Sequence, residues 1–116
     1  MDAHIVEIQI TCGNDREADL IAEALIARRL AACVQQLPIR SIYRWRGAVE
    51  RDDEILLLAK TTRPRIEGVR ATVRELHSYD VPALTVIDIA DGADDYLAWI
   101  SAETTPESPD PSDDVS

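Results

Sequence analysis

Phenylalanine is missing altogether, and Lys60 is the single lysine among 12 basic residues. A chain that is 46% hydrophobic without Phe must build its core from aliphatic side chains and alanine. The two cysteines, Cys12 and Cys33, provide no disulfide framework, so free thiols and a cytoplasmic location are expected. With only His4 and His77 besides, and no C-x-x-C pair, one chain cannot readily close a four-ligand zinc site. No apolar run approaches the ~20 residues of a membrane span. The start, MDAHIVEIQI, lacks the basic-then-apolar pattern of a secretory signal. A net charge of −10 leaves no basic surface for phosphates, which argues against nucleic acid as a partner. P-loop, GxGxxG, GxSxG and HExxH patterns are absent. Ser78 and His77 are neighbours on the chain and do not form a dyad, so the protein reads as a non-enzyme.

What is present alternates and repeats. Val6, Ile8 and Ile10 oppose Glu7 and Gln9, which predicts a half-buried strand over His4–Ile10. After Gly13, Asp15 is the expected N-cap of a helix reaching about Ala31, with Ala18, Ile21, Ala22 and Leu25 on its inner face. Cys33–Trp45 predicts a long strand with a bulge or an edge at Pro38. Arg46-Gly47-Ala48 turns the chain, and Val49–Thr62 returns as a third strand. Its centre, Ile55–Ala59, is apolar without alternation, so both its faces should be covered. Pro64 suits the first turn of a helix with the stripe Ile66, Val69, Val73 and Leu76. A fourth apolar strand follows over Leu84–Ala90. Asp94 or Asp95 is then the expected cap of a short helix, Tyr96–Ala102. From Thr104 onward the chain is Pro, Ser, Thr and acid, and the reading is a domain over 1–103 followed by a disordered acidic tail over 104–116.

The order β-α-β-β-α-β predicts an α+β, ferredoxin-like fold: a four-stranded antiparallel sheet, a long hairpin between its second and third strands, and an extra C-terminal helix. Both helices of that motif lie on one face. The third and fourth strands are nonetheless apolar on both faces, and another copy of the chain is the simplest cover.

Few residues could carry chemistry. Cys33 reads either as a small core residue or as a soft metal ligand. His77 reads either as a helix-end histidine or as a ligand at a cleft mouth. Cys12, beside Gly13, is expected in the open. Glu50, Asp52, Asp53 and Glu54 have no EF-hand spacing and read as a solvated hairpin base, partnered by nearby arginines. Lys60 sits in a chain that otherwise uses Arg, so a compact ammonium is wanted there or chance put it there. Trp45, Trp99, Tyr43, Tyr79 and Tyr96 read as packing, much of it between subunits.

Five blocks in register resemble the CutA divalent-cation tolerance family: LAACV (Leu30–Val34), YRWRG with Val49, Glu50 and Glu54, KTT (Lys60–Thr62), HSYDVPAL (His77–Leu84) and DYLAWI (Asp95–Ile100). The likeness runs from Ile5 to Ile100. It implies a ferredoxin-like homotrimer akin to the PII-type signalling proteins, with the long hairpin reaching a neighbour. It implies a link to copper or another divalent cation, with Cys33 and His77 as the candidate metal ligands. It also implies an inter-subunit cleft bordered by Trp45, Lys60, Tyr79, Tyr96 and Trp99. Two positions depart from the family loop: Ser78 stands for a proline, and Ala83 for a glutamate that could have paired with Lys60. An unpaired Lys60 would favour a small anionic ligand. The expected function is therefore a cytoplasmic trimeric metal-tolerance protein. The alternatives are a PII-like signalling module binding an anionic ligand or partner protein at the cleft, and a scaffold that anchors another protein through its tail.

Overall fold

Alternation decides the first strand. In the computed structural model, which describes residues 4–106, β1 (Ile5–Cys12) buries Val6, Ile8, Ile10 and Cys12 and turns Glu7, Gln9 and Thr11 to the other face. The strand runs past the expected Ile10 and encloses Cys12, which the sequence had suggested would be open. Burial, with the carboxylates of Glu17 and Glu54 close by, pushes that thiol up to about 12.

Helix α1 (Asp15–Ala27) is capped by Asn14 rather than Asp15. The Asn14 side chain accepts the Glu17 amide at 2.9 Å, and Asp15 and Glu17 occupy the first turn, where negative charge is favoured. The helix stops short of Ala31 because Arg29 enters the left-handed region at φ 55°, and the Leu30 amide folds back onto the Leu25 carbonyl at 2.9 Å. Ala18, Ile21, Ala22 and Leu25 are its buried face, as the periodicity predicts.

β2 (Cys33–Trp45) and β3 (Ala48–Thr62) form an unbroken antiparallel pair from Cys33↔Lys60 to Trp45↔Ala48. Pro38 makes no bulge: it pairs in register with Ile55, and it is tolerated because β2 lies at the sheet edge. Arg46 and Gly47 form the two-residue turn with φ of 50° and 85°, the positive values that a type I′ hairpin requires. A 3-10 turn over Arg63–Arg65 holds Pro64 and leads into α2 (Ile66–Leu76), whose Ile66, Val69 and Val73 are buried. β4 is shorter than expected, Leu84–Asp88. In α3 (Asp94–Thr104), Ala93 occupies the cap, with Asp94 and Asp95 already inside the first turn.

The sheet order is β2-β3-β1-β4, every neighbouring pair antiparallel, which is the ferredoxin-like arrangement with an added helix. α1 and α2 pack on one face over Val6, Ile8, Ile10, Leu57 and Ala59. Arg28 joins the two helices, donating to Thr72 at 3.1 Å and to Glu75 at 3.0 Å.

The other face is the one left bare by that motif, and α3 closes only its end. Ile100 and Thr104 are buried there, with the Thr104 hydroxyl donating to the Ile100 carbonyl at 2.8 Å and lying 3.5 Å from that of Thr62. Thr104 is thus the last residue of a packed helix, not the first of a tail; residues 107–116 lie outside the described residues. On the same face Leu56 and Leu58 are only half-buried and Leu37 is exposed. The expected covering of both faces of the third strand is therefore incomplete in one copy. β1 reaches only to Cys12↔Ile55; beyond it, among the described residues, Ala48–Glu54 pair with β2 alone and project as a two-stranded ribbon. This projection raises the radius of gyration to 16.0 Å, against about 13 Å for a compact domain of this length.

Candidate functional site

The ribbon and the loop after α2 enclose a cavity of about 510 Å³, lined among others by Ser41, Tyr43, Trp45, Glu54, Tyr79 and Asp80. Strand parity builds one wall. Tyr43 and Trp45 share the open face of β2, and Glu54 follows on β3, opposite Ile39. The loop builds the other wall, because His77 ends α2 and turns the chain toward the ribbon with a φ of −82° and ψ of 138°. Tyr79 then crosses the gap and donates its hydroxyl to Glu54 Oε2 at 2.7 Å. Glu54 is only 6% exposed, so this acid is a buried acceptor and not part of a solvated hairpin base. Burial, then the bond to Glu54, raises the Tyr79 phenol above its ordinary range. Tyr43 donates to Asp52, and that bond pushes its phenol up to about 12. At the rim, the Arg46 guanidinium lies 5.1 Å from the Trp45 ring centroid and 3.3 Å from Asp80 Oδ2.

Gly13 is needed beneath this wall. A β-carbon there would stand 2.9 Å from the Tyr79 hydroxyl oxygen. Behind it lies His77, whose side chain is fully buried. Its Nε2 donates to the Thr11 carbonyl at 2.6 Å, and its Nδ1 accepts the Tyr79 amide at 3.1 Å. Those partners define the Nε2–H tautomer. Glu17 accepts the Ser78 amide at 2.6 Å; burial opposes its charge, but the bonds to Ser78 outweigh that and hold its pKa low.

Lys60 sits elsewhere. It faces Cys33 on the open side of the sheet, donates to Gln35 at 2.9 Å and pairs with Glu7 at 3.1 Å. Gln9, then Lys60, holds the Glu7 carboxyl below its usual range against the opposing effect of burial. The expectation of an unpaired Lys60 is overturned: the partner comes from β1, directly across the ladder, and the argument for an anion at this amine goes with it. Trp45 and Lys60 are separated by the length from Ala48 to Lys60 along β3, roughly 40 Å at strand rise. Of the expected cleft residues, one chain brings together only Trp45 and Tyr79. Tyr96 and Trp99 stack on each other along α3, ring centroids 5.9 Å apart, and both are partly exposed.

The expected metal pair fails on geometry within one subunit. Cys33 lies opposite Lys60, whereas His77 is bound at Thr11, opposite Leu56; these rows are about 13 Å apart. Both His77 nitrogens also have partners already. Among the described residues, no three His, Cys, Asp or Glu side chains gather where they could hold an ion. The residues that sequence reading missed, Glu7, Gly13, Glu17, Arg46 and Asp80, became visible only through register and loop path.

Comparison with known proteins agrees with this fold. Residues 6–103 match the family described as CutA1 divalent ion tolerance protein. The divalent-cation tolerance protein CutA of Thermus thermophilus is 43% identical over 98 residues, covering 84% of this chain and 95% of that protein. Human protein CutA is 38% identical over 96 residues, covering 82% of this chain but only 54% of the human protein. The solved structure described as the periplasmic divalent cation tolerance protein CutA from Archaeoglobus fulgidus superposes with a TM-score of 0.85 at 35% identity, covering 87% of this chain and 99% of that one. By extent of sequence match and by shape, this chain belongs to the CutA1 divalent ion tolerance family.

Proposed function

We propose that the chain works as a homotrimeric, non-enzymatic divalent-cation tolerance protein of the cytoplasm. The observation that carries the assembly is the half-closed sheet face. Leu37, Leu56 and Leu58 lie on it and stay partly open to solvent, beside a ribbon that projects from its own sheet. Exposed aliphatic surface of this kind is stabilised by a second copy. Membership of a divalent ion tolerance family supports the metal response. Within one subunit Cys33 and His77 do not share an ion, so binding of copper or another divalent cation would draw donors from more than one subunit, with half-exposed Cys33 as the soft one. Two unpaired thiols support the cytoplasm. No helix among the described residues is long and apolar enough to cross a membrane. The alternative of a small anion at the cleft loses its support, because Lys60 is held by Glu7. The scaffold reading rests largely on residues 107–116, outside those described.

Sedimentation velocity tests the assembly. The expected species has three times the 12.9 kDa subunit mass, and a Leu56→Asp/Leu58→Asp variant falls to a lighter species. A wild-type monomer at micromolar concentration refutes the trimer. Calorimetric titration with copper, compared between wild type and Cys33→Ser, tests the metal; identical isotherms remove Cys33 as a ligand.

A further inference from the structure

The cavity between ribbon and loop has a one-sided chemistry. Three of its lining residues are aromatic, Tyr43, Trp45 and Tyr79; two are carboxylates, Glu54 and Asp80; none is Lys, Arg or His. The two phenols do not offset this. The Tyr79 hydroxyl donates to Glu54 and the Tyr43 hydroxyl donates to Asp52, so each points its proton at an acid of its own chain. An anion entering here would meet carboxylates and ring faces, and the strongest donors would already be engaged. A cation would meet ring faces and acceptors, the arrangement that recognises ammonium and guanidinium groups.

A second observation points the same way. The chain's own guanidinium already occupies the rim, with Arg46 against the Trp45 ring and paired with Asp80. It does so from a turn position at φ 50°, a region that non-glycine residues rarely adopt. The Arg46–Asp80 pair is open to solvent, with side chains 72% and 77% exposed. It is therefore weak, and a competing cation displaces it at a loss of no more than about fivefold in affinity.

We infer that this cavity is a binding site for a small organic cation, an ammonium or guanidinium compound, with Arg46 at its rim as a tethered and displaceable stand-in. The volume of about 510 Å³ suits a small molecule rather than a bare ion. No three acidic or other ligating side chains converge there, or anywhere among the described residues, to replace the hydration shell of a metal. The inference goes beyond the proposed function; the cavity opens on the same sheet face as Leu37 and Leu56, so it is tested in the native assembly.

The test uses the full chain in its native assembly, with Trp99→Phe introduced so that Trp45 is the only indole. Tetramethylammonium, putrescine and arginine amide are titrated at low ionic strength and followed by Trp45 fluorescence, with sodium benzoate and magnesium chloride as controls. Saturable binding of at least one organic cation is expected, and neither control reproduces it. Glu54→Gln weakens that binding about tenfold or more, as loss of a hydrogen bond to a charged group does, and Arg46→Asn, which tolerates the turn, strengthens it up to about fivefold. Binding by nuclear magnetic resonance in Trp45→Leu, a partly exposed position outside the core, gives the same loss should Glu54→Gln fail to fold. Absence of saturation by any of the three cations, preferential binding of benzoate, or weaker binding in folded Arg46→Asn would overturn the inference. Sedimentation of the same samples shows whether the assembly is intact, so failure here is separable from failure of the trimer.

Discussion

Replacing Gly13 by alanine tests the wall of the cavity through a single methyl group. Gly13 is outside the left-handed region, so its backbone accepts alanine. By itself the change should stabilise the protein by about 0.4–1 kcal/mol through the unfolded chain. In the folded chain the new carbon would stand 2.9 Å from the Tyr79 oxygen and 3.3 Å from its ring, so the ring must move off Glu54. A hydrogen bond to a charged, buried carboxylate contributes about 1.5–3 kcal/mol. The net expectation is a loss of about 1–2 kcal/mol, or about 4–16 °C in Tm for a domain of this size. In a Tyr79→Phe background the bond is already gone and the closest atom is deleted. Gly13→Ala should then be neutral or mildly stabilising, which leaves a coupling of about 2 kcal/mol. Urea unfolding of the wild type, the two single variants and the double variant, all at one protein concentration, measures it. Equal effects of Gly13→Ala in both backgrounds would refute the reasoning, because they would mean that Tyr79 does not carry the cost.

Other outcomes follow from the same geometry. Thiol labelling of the native protein at pH 8 should modify Cys33 and spare Cys12, whose thiol is buried and pushed up to about 12, whereas denaturant should release both; mass spectrometry of the labelled peptides decides. Lys60→Met strips Glu7 of its cation and should cost about 1–3 kcal/mol near neutral pH. Since the native Glu7 pKa is lowered, its stabilising contribution is present above the ordinary carboxylate range and is lost as pH falls through the native value. The gap between wild type and variant in urea unfolding should therefore close in acid. Tyr43 has its native pKa raised from 10.0 to about 12, so its contribution holds below pH 10 and fades as pH rises toward 12; ultraviolet titration of wild type against Tyr43→Phe should show the late-ionising phenol.

Local pattern carried most of the fold. Alternation at Val6, Ile8 and Ile10, the stripe from Ala18 to Leu25 and the Gly47 turn each follow from neighbours along the chain, and each element stands where its pattern put it. Boundaries slipped where a competing group sat one residue away, as with Asn14 preceding Asp15, or where a distant partner extended an element, as Thr62 does for Thr104. The site was less legible for a physical reason. Glu54 looks like one of four hairpin acids until the loop from His77 brings Tyr79 over it. Lys60 looks unpaired until register sets it against Glu7. Cys33 and His77 have suitable chemistry, but the number of residues between the rows they occupy keeps them apart, and that spacing is a property of the folded sheet.

The strand order has a consequence for how the molecule is made. The first strand of the described chain, β1, lies in the interior of the sheet, between β3 and β4. Its pairing Val6↔Asp88 spans almost the whole described chain. The local hairpin of β2 and β3 can form within microseconds, but β1 keeps one bare edge until Leu84–Asp88 has been synthesised and docks beside it. Closing of the sheet is thus a late, slow, long-range event. A nascent chain halted before Leu84 would display an apolar strand edge, which marks the interval in which this protein most needs a chaperone.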